Sequence, residues 1–279
     1  MTNPTIQRRR LGIALKRARE AAGLTQDEAG ELIDAGGSKI SRLELGQSGI
    51  RLPELSILLS RYGVPDEEVA VLRELARAGR QRGRWSSYRD NLPSWFRQYI
   101  ALEGDAAQVR WYQVEIIPGI LQTEEYVRPI LGNLRVSDAE MEQQVKIRME
   151  RQYALDRGPE FMFILSESAI RRAVGGPAVM AGQLEHLAAL SERPNVTLQV
   201  LPFDAQTYTV ASFTFINLSF GDGASDTIYT EDYTDADYLD APGPVSAYAR
   251  LWDDLRAAAL GPVESVNLIV QAARDFREK

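Results

Sequence analysis

Residues 24–46 have the sequence LTQDEAGELIDAGGSKISRLELG, which predicts two short helices joined by a tight turn. Thr25 and Glu28 fit a capping box at the start of the first helix, in which each side chain accepts a hydrogen bond from the backbone N–H group of the other residue. The segment 34–37, DAGG, then interrupts the helical pattern. Gly46 predicts the end of the second helix, because glycine readily adopts the left-handed conformation found there. A helix, a turn and a second helix with a polar outer face form the unit that places a helix in the major groove of DNA.

This stretch resembles the helix-turn-helix of the lambda-repressor/Cro type, also called the Xre type. The resemblance covers residues 8–65 and depends on three segments, which are Gly23-Leu24-Thr25-Gln26, Glu31-Leu32 and Ser38-Lys39-Ile40-Ser41-Arg42-Leu43-Glu44. It implies an all-α domain that binds DNA. The chain departs from the family at Gly36 and Gly37, where the family usually has a long polar residue. Glycine has no side chain to contact a base edge, so we expect fewer direct base contacts. The pattern also fits a helical hairpin in another kind of bundle.

The expected DNA contacts lie on the second helix and on the residues that flank it. Ser38 and Arg42 are one turn apart on the predicted exposed face, so we expect them to contact base edges. Lys39 is expected to contact either a base or a phosphate. The resemblance implies a phosphate contact for Gln26, which matches a phosphate-binding glutamine of the family. The residues predicted to bind DNA are Gln26, Ser38, Lys39, Ser41, Arg42, Gln47 and Arg51.

An amphipathic helix predicted over residues 7–22 precedes this stretch and carries Arg19. In the family, the matching arginine pairs with the glutamate that ends the recognition helix, which here is Glu44. The resemblance therefore implies a structural ion pair between Arg19 and Glu44, and breaking one side of a buried pair is costly. The basic outer face of the same helix fits either phosphate contact or plain solvation.

The composition is that of a globular protein, with 44% apolar and 25% charged residues in a chain of 279. There is no cysteine, which excludes a disulfide framework, a cysteine-based zinc site and a thiol nucleophile. No run of 18 apolar residues exists, and the first ten residues lack the apolar segment of a secretory signal. We therefore expect a cytoplasmic protein with no membrane partner, associated with the nucleoid when bound to DNA. We also expect no cofactor, no metal and no enzymatic activity.

Charge is distributed unevenly along the chain. Residues 1–110 carry 18 Lys and Arg against 14 Asp and Glu, whereas residues 111–279 carry 14 against 25. Such asymmetry indicates two modules with different partners. We predict a helix-turn-helix domain at 1–80, a linker at 81–92 and a second domain at 93–279. The arginines of the linker fit either a solvated connector or a segment that follows a phosphate backbone.

Apolar runs separated by turn residues predict that the second domain is α/β, with a mixed sheet flanked by helices. Residues 161–165 and 196–201 are predicted strands, and residues 179–190 form a helix between them. A strand–helix–strand order implies a parallel pair with a right-handed crossover. Further strands are predicted at 109–117, 213–218 and 227–230. The last two are expected to form an antiparallel hairpin. The predicted fold is therefore multidomain, with an all-α helix-turn-helix domain followed by this α/β domain.

Several phrases of the second domain resemble the actinobacterial, Streptomyces-like domain of unknown function that commonly follows an Xre-type helix-turn-helix. The phrases lie in order within residues 90–275 and include Pro118-Gly119-Ile120-Leu121-Gln122-Thr123, Arg148-Met149-Glu150-Arg151-Gln152 and Val200-Leu201-Pro202-Phe203. The resemblance implies a transcriptional regulator that is often encoded beside a small partner protein. In some such pairs the regulator resembles an antitoxin or antagonist of the partner. No catalytic activity and no ligand are established for the resembled family.

Three features of the second domain leave their roles open. The acidic segment 222–240 includes Asp232, Asp235 and Asp237, which fit a solvated edge, a docking face for a basic partner or a site for Mg²⁺ or Ca²⁺. The single histidine, His186, fits a surface or core position better than a catalytic one. The remaining feature is a set of aromatic and arginine side chains that fit an effector pocket or a core with an ion-paired helix face. These are Tyr112, Tyr126, Arg148, Arg151 and Tyr208.

Together these features predict a sequence-specific DNA-binding transcriptional regulator that forms a homodimer. Its partners would be double-stranded operator DNA, a second copy of the chain, and a protein partner or effector bound by the C-terminal domain. A dimer is expected because one recognition helix offers few base contacts, at about 1–3 kcal/mol each, and two half-sites multiply them. The alternatives are an antitoxin-like protein that antagonises a small partner protein, and an enzyme with a DNA-binding anchor.

Overall fold

The structure is a computed structural model that describes residues 4–79, 94–132, 137–206, 212–221, 226–232 and 235–279. Within the chain, residues 1–105 and 106–279 form two compact units. The predicted linker at 81–92 and the side chain of Tyr208 lie outside the described residues.

In the first unit, the described residues form helices joined by turns and loops. Its helices are α1 (Pro4–Ala21), α2 (Gln26–Glu31), α3 (Gly37–Glu44), α4 (Leu52–Arg61), α5 (Asp66–Gly79) and α6 (Ser94–Glu103). The predicted capping box is confirmed at the start of α2. The hydroxyl of Thr25 accepts the Glu28 N–H at 3.2 Å, and the Glu28 carboxylate accepts the Thr25 N–H at 2.7 Å. Gly46 follows α3 with a φ of 71°, the left-handed conformation predicted for it.

Apolar side chains spaced three or four residues apart form the core of the first unit. This spacing gives each helix one apolar face, and burial of these faces is the main favourable term in folding. The helix α3 contributes Ile40 and Leu43, which are buried. The other helices contribute Leu11, Leu15, Ala29, Leu55, Leu58, Leu59 and Leu72. The core therefore fixes which face of α3 remains outside.

In the second unit, the described residues form one mixed sheet of six strands in the order β3-β2-β1-β4-β5-β6. The strands are β1 (Gln108–Gln113), β2 (Glu160–Ser166), β3 (Val196–Leu201), β4 (Phe215–Ser219), β5 (Thr227–Glu231) and β6 (Ala236–Leu239). The pairs β1–β2 and β2–β3 are parallel, and the remaining pairs are antiparallel. The predicted fold class is confirmed: a helical N-terminal region precedes an α/β domain with a mixed sheet.

Helices lie on both faces of this sheet. They are α7 (Glu124–Gly132), α8 (Asp138–Arg151), α9 (Ala154–Arg157), α10 (Glu167–Arg171), α11 (Pro177–Leu190), α12 (Pro242–Ala258) and α13 (Pro262–Arg277), with a short 3-10 helix at Gly119–Leu121. On one face, Trp252 and Leu255 of α12 pack against Tyr112 and Phe215. On the other face, the guanidinium of Arg151 in α8 lies 5.8 Å from the centre of the Trp111 ring. Adjacent residues of β1 thus face opposite layers, as the alternation of a strand requires.

Two differences from the predicted elements have physical causes. Residues with strand propensity continue to Ile117, but β1 ends at Gln113, where its pairing with β2 ends. The strand β6 was not predicted, because it lies within the acidic segment and contains Asp237. It is nevertheless paired with β5 along its whole length. Among the described residues, no helix combines the length and the apolar character needed to cross a lipid bilayer.

Candidate nucleic-acid interface

The helix α3 separates its residues into a buried face and an exposed face. Ile40, Leu43 and Glu44 are buried, whereas Ser38 and Arg42 are exposed. The exposed pair is four residues apart, so both side chains project from the same side of the helix. The predicted contact residue Ser41 is half-buried at the margin of this face. The structure thus gives α3 the polar outer face that the sequence predicted for it.

The start of α3 is held close to α2 through Gly37. A Cβ atom at Gly37 would lie 2.2 Å from Oδ1 of Asp27, an exposed side chain that can rotate away, and 3.1 Å from the Asp27 backbone nitrogen, which would have to shift by a few tenths of an ångström. Gly36 is different, because the nearest atom to its Cβ position is the Ser38 hydroxyl at 4.0 Å. Of the two glycines that depart from the resembled family, Gly37 is therefore the more closely packed.

A buried ion pair joins α1 to the C-terminal end of α3. Arg19 donates to both carboxylate oxygens of Glu44, at 2.5 and 3.1 Å, and to the carbonyl oxygen of Leu24 at 2.6 Å. The hydrogen bond to Glu44 raises the pKa of Arg19 above its ordinary value. Arg19 and Glu44 are 7% and 6% exposed, so solvent screens their attraction weakly. The contact implied by the resemblance is present, and its contribution to stability remains a prediction.

Gln26 belongs to the same network. Its Nε2 atom donates to the Glu44 carboxylate at 2.8 Å, and the side chain is half-buried at the first residue of α2. The side chain is thus anchored to the end of α3. The Nε2 atom carries a second N–H that could donate to a phosphate oxygen. The predicted phosphate contact of Gln26 stays a prediction.

A second charged cluster lies between α3 and α4, and the sequence reasoning did not find its centre. The buried carboxylate of Glu54 accepts hydrogen bonds from Lys39 Nζ at 3.0 Å and from Arg51 Nε at 2.8 Å. The hydrogen bond from Arg51, more than that from Lys39, holds the pKa of Glu54 below its usual value. Two predicted DNA-binding cations therefore share one acidic partner. The spacing of Arg51 and Glu54 was the available sequence signal, but Lys39 is 15 residues away from Glu54.

The remaining predicted contact, Gln47, is exposed just after α3. The seven residues predicted to bind DNA thus lie on α3, on the first residue of α2 and on the segment that leads into α4. All of them belong to the first unit. Which of them contact DNA remains a prediction.

In the second unit, two of the phrases that carry the second resemblance, at 118–123 and 148–152, come together in one polar network. Arg148 donates to the side-chain oxygen of Gln122, and Gln152 donates to the Gln122 carbonyl oxygen at 2.5 Å. Gln183 of α11 donates to the Leu121 carbonyl oxygen at 2.8 Å. Burial lowers the pKa of Arg148 to about 10. This network holds the 3-10 helix between α8 and α11.

The described residues proposed for an effector pocket do not all lie on one face of the sheet. Tyr112 packs under α12, on the face of the sheet opposite to Trp111 and Arg151. Tyr126 is fully buried, and its hydroxyl accepts the Ile117 N–H at 3.1 Å. Because neighbouring residues of a strand alternate between faces, Tyr112 and Arg151 cannot line one cavity. The buried positions of Tyr112 and Tyr126 fit the other interpretation of this set, a core with an ion-paired helix face.

The acidic residues Asp232, Asp235 and Asp237 lie at the β5–β6 connection and on β6, and all three are exposed. The Asp232 carboxylate accepts the Asp235 N–H at 2.8 Å, and the Asp235 carboxylate accepts the Ala236 N–H at 2.8 Å. These bonds are local turn interactions of the kind that aspartate commonly makes. Within the described ranges, no group of His, Asp and Glu has an arrangement that would hold a metal ion.

His186 is half-buried in α11, and burial lowers its pKa below the ordinary value. In the described part of the chain, its Nε2 atom has no hydrogen-bond partner. The half-buried position of His186 fits the predicted surface or core placement, and its lack of a catalytic role stays a prediction.

Two family models match the chain. The model described as "Helix-turn-helix domain" matches residues 10–72, which include α2 and α3. The model described as "Domain of unknown function (DUF5753)" matches residues 96–271 and so covers most of the chain. A comparison with curated proteins gives no match. The helix-turn-helix match indicates DNA binding by the first unit.

Proposed function

Since the chain belongs to the DUF5753 family and carries a helix-turn-helix domain, we propose that it is a sequence-specific DNA-binding transcriptional regulator. The proposal includes an Xre-type helix-turn-helix and a second domain typical of actinobacterial regulators. It also includes a cytoplasmic location, at the nucleoid when the protein is bound to DNA. It assigns the chain no catalytic residue and no cofactor.

The observation that carries this proposal is the outer face of α3. Ser38 and Arg42 are exposed on one side of the helix, while Ile40 and Leu43 on the other side are buried in the core. A helix with this arrangement can enter the major groove, where an arginine can bond to two acceptors of guanine. The Ser38 hydroxyl can donate or accept a hydrogen bond at an A·T or a G·C base pair.

We also propose that the regulator acts as a homodimer. Base contacts from Ser38 and Arg42 supply about 1–3 kcal/mol each, which discriminates poorly among the many sites of a genome. Two recognition helices placed on half-sites one helical turn apart would double that discrimination. The second unit, with its extensive sheet, is the proposed source of dimer contacts and of any effector response.

A second candidate is an antitoxin-like role, in which the second unit binds a small basic protein. It is supported by the exposed Asp232, Asp235 and Asp237, and by the excess of acidic residues over residues 111–279. Complementary charge speeds and orients association. Co-purification of a small basic protein, lost when the three aspartates are replaced by asparagine, would favour this role over regulation by a small effector.

The experiment that tests the main proposal is selection of bound sequences from a random DNA library by the full-length chain at near-physiological salt. We expect enrichment of a pseudopalindromic site whose half-sites are spaced by one helical turn. The matched control is the Arg42→Ala chain, for which we expect enrichment to weaken. A chain that enriches no sequence at any protein concentration would refute the proposed function.

A further inference from the structure

Lys39 does not point outward from α3 in the direction of Ser38 and Arg42. Successive residues of an α-helix are about 100° apart, so Lys39 lies on the flank of α3 rather than on its outer face. Its ammonium group is bound to Glu54 of α4 at 3.0 Å. The side chain of Lys39 is 32% exposed, so part of the cation still faces solvent.

Arg51 reaches the same carboxylate oxygen from the other side. It precedes α4 and donates to Oε1 of Glu54 through Nε at 2.8 Å and also through a terminal guanidinium nitrogen. Its side chain is 75% exposed, whereas that of Glu54 is 8% exposed. One buried carboxylate thus holds two cations side by side, and both cations keep N–H donors on the solvent side.

This arrangement has an excess of one positive charge and a fixed geometry. A lysine ammonium has three N–H donors and a guanidinium has five, so bonds to Glu54 leave donors on both groups for a second acceptor. Phosphate oxygens are the acceptors that flank a helix in the major groove, and they fix the register of a protein on the duplex. Without Glu54, the two cations would repel each other.

From these contacts we propose that Glu54 is a positioning residue for DNA binding, which holds Lys39 and Arg51 as a clamp for one backbone phosphate in each half-site. The proposal depends on the proposed function and refines it. It assigns Lys39 to the DNA backbone and leaves base contact on α3 to Ser38 and Arg42. Glu54 itself does not touch DNA in this assignment.

The test is whether Glu54→Gln strengthens or weakens the binding of the full-length chain to DNA. Charge alone predicts tighter DNA binding, because the substitution removes a negative charge near the phosphates. A positioning role predicts weaker binding, on the order of tenfold, on a selected site and on unrelated DNA alike. The dependence of log K on log[salt] should become shallower by about 0.9 for each clamp that is lost. The matched control is Glu31→Gln, which removes an exposed carboxylate at the end of α2 and should not weaken binding.

Two further arms separate positioning from a merely structural role. In a chain that already carries Lys39→Met and Arg51→Met, Glu54→Gln should have no further effect on the salt dependence. Lys39→Met by itself should weaken binding to all sequences equally. If Glu54→Gln lowers the melting temperature, the Lys39→Met variant still tests the phosphate contact. Glu54→Asp, which keeps the charge, should restore part of the affinity.

Three results would overturn the proposal. They are tighter binding by Glu54→Gln, an undiminished effect of Glu54→Gln in the doubly substituted chain, and a loss of sequence preference in Lys39→Met. If the unaltered chain prefers no sequence, the proposed function fails, but the salt dependence on unrelated DNA still tests the clamp.

Discussion

At the scale of a single residue, Arg19 connects three parts of the helix-turn-helix domain. It bonds to Glu44 at the end of α3 and to the Leu24 carbonyl oxygen before α2, while Gln26 bonds to the same carboxylate. The side chains of Arg19 and Glu44 are buried, whereas Gln26 is half-buried. Loss of Arg19 leaves the buried Glu44 carboxylate without a cation, which is the costly case for an ion pair.

We therefore expect Arg19→Ala to destabilise the first unit by about 3–5 kcal/mol, because the buried Glu44 carboxylate would lose its cationic partner and keep the neutral Gln26 amide as a donor. Thermal unfolding followed by circular dichroism measures this loss. The matched control is Arg17→Ala, since Arg17 is an exposed arginine on the same helix. An unchanged melting temperature for Arg19→Ala would contradict the structural role of Arg19.

The contacts of the charged residues differ in how well they could be predicted from the sequence. The Arg19–Glu44 pair could be inferred through the resemblance, although the two residues are 25 positions apart. Glu54 could not be assigned a role, because its bond to Lys39 depends on how α4 crosses α3. Spacing along one helix predicts neighbours on that helix, and contacts between helices require the packed structure.

At the scale of elements, the start of α3 depends on its close approach to α2. The sequence prediction began this helix at Ser38, whereas α3 begins at Gly37. We expect Gly30→Ala, within α2, to destabilise the first unit by about 1–3 kcal/mol, because the added methyl group would lie 2.5 Å from the backbone carbonyl oxygen of Ala35 in the turn that leads to α3.

The matched control is Gly36→Ala, which has open space around the added atom and an ordinary φ of −84°. Gly36 is the N-cap of α3, where alanine is a poorer cap, so we expect this control to cost less than about 1 kcal/mol. Denaturant unfolding of the two variants compares them directly. Equal stability of Gly30→Ala and Gly36→Ala would show that the turn before α3 does not approach α2 as closely as described.

The strand β3 is an edge of the sheet and is covered by the chain itself. The Ser265 hydroxyl accepts the Val200 N–H at 2.9 Å, and the Leu260 N–H donates to the Val200 carbonyl oxygen at 2.9 Å. The backbone groups of an uncovered edge can pair with another chain. The connection between α12 and α13 therefore protects the middle of this edge.

We expect Ser265→Ala to destabilise the second unit by about 1–3 kcal/mol, since the buried Val200 N–H would lose its acceptor. The matched control is Ser246→Ala, at an exposed position of α12, which should leave the stability nearly unchanged. Thermal unfolding monitored by tryptophan fluorescence distinguishes the two. A melting temperature of Ser265→Ala equal to that of the control would contradict the proposed protection of β3.

The elements that the sequence predicted best are those with the strongest apolar patterns. The bounds of β3 were predicted at 196–201 and are observed at Val196–Leu201, because this strand is a run rich in apolar and β-branched residues between turn residues. The strand β6 lacks such a run, so its pairing with β5 was invisible in the sequence. The helix α10 has five residues, which is too short for a helical period to stand out.

At the scale of the whole molecule, the fold class was predictable because two different periodicities occupy two parts of the chain. Helical spacing dominates the first part, and strands alternate with helices in the second. The order of the strands was not predictable, since β1 pairs in parallel with β2 and antiparallel with β4, which follows it by about 100 residues. The uneven charge likewise indicated two modules, but not what the acidic module binds.

The central claim is that the outer face of α3 recognises DNA sequence, and Arg42 tests it most directly. The measurement is the affinity of the full-length chain, of Arg42→Ala and of Arg42→Lys for a selected site, for single base-pair variants of that site and for unrelated DNA. Arg42→Lys keeps the charge but loses the paired donors of the guanidinium.

We predict that both substitutions weaken binding to the selected site by about 1–3 kcal/mol per half-site and relax the preference at one base pair. Binding to unrelated DNA should change little. Equal weakening by Arg42→Ala on every sequence, together with full affinity of Arg42→Lys, would make Arg42 a phosphate contact and contradict the claim.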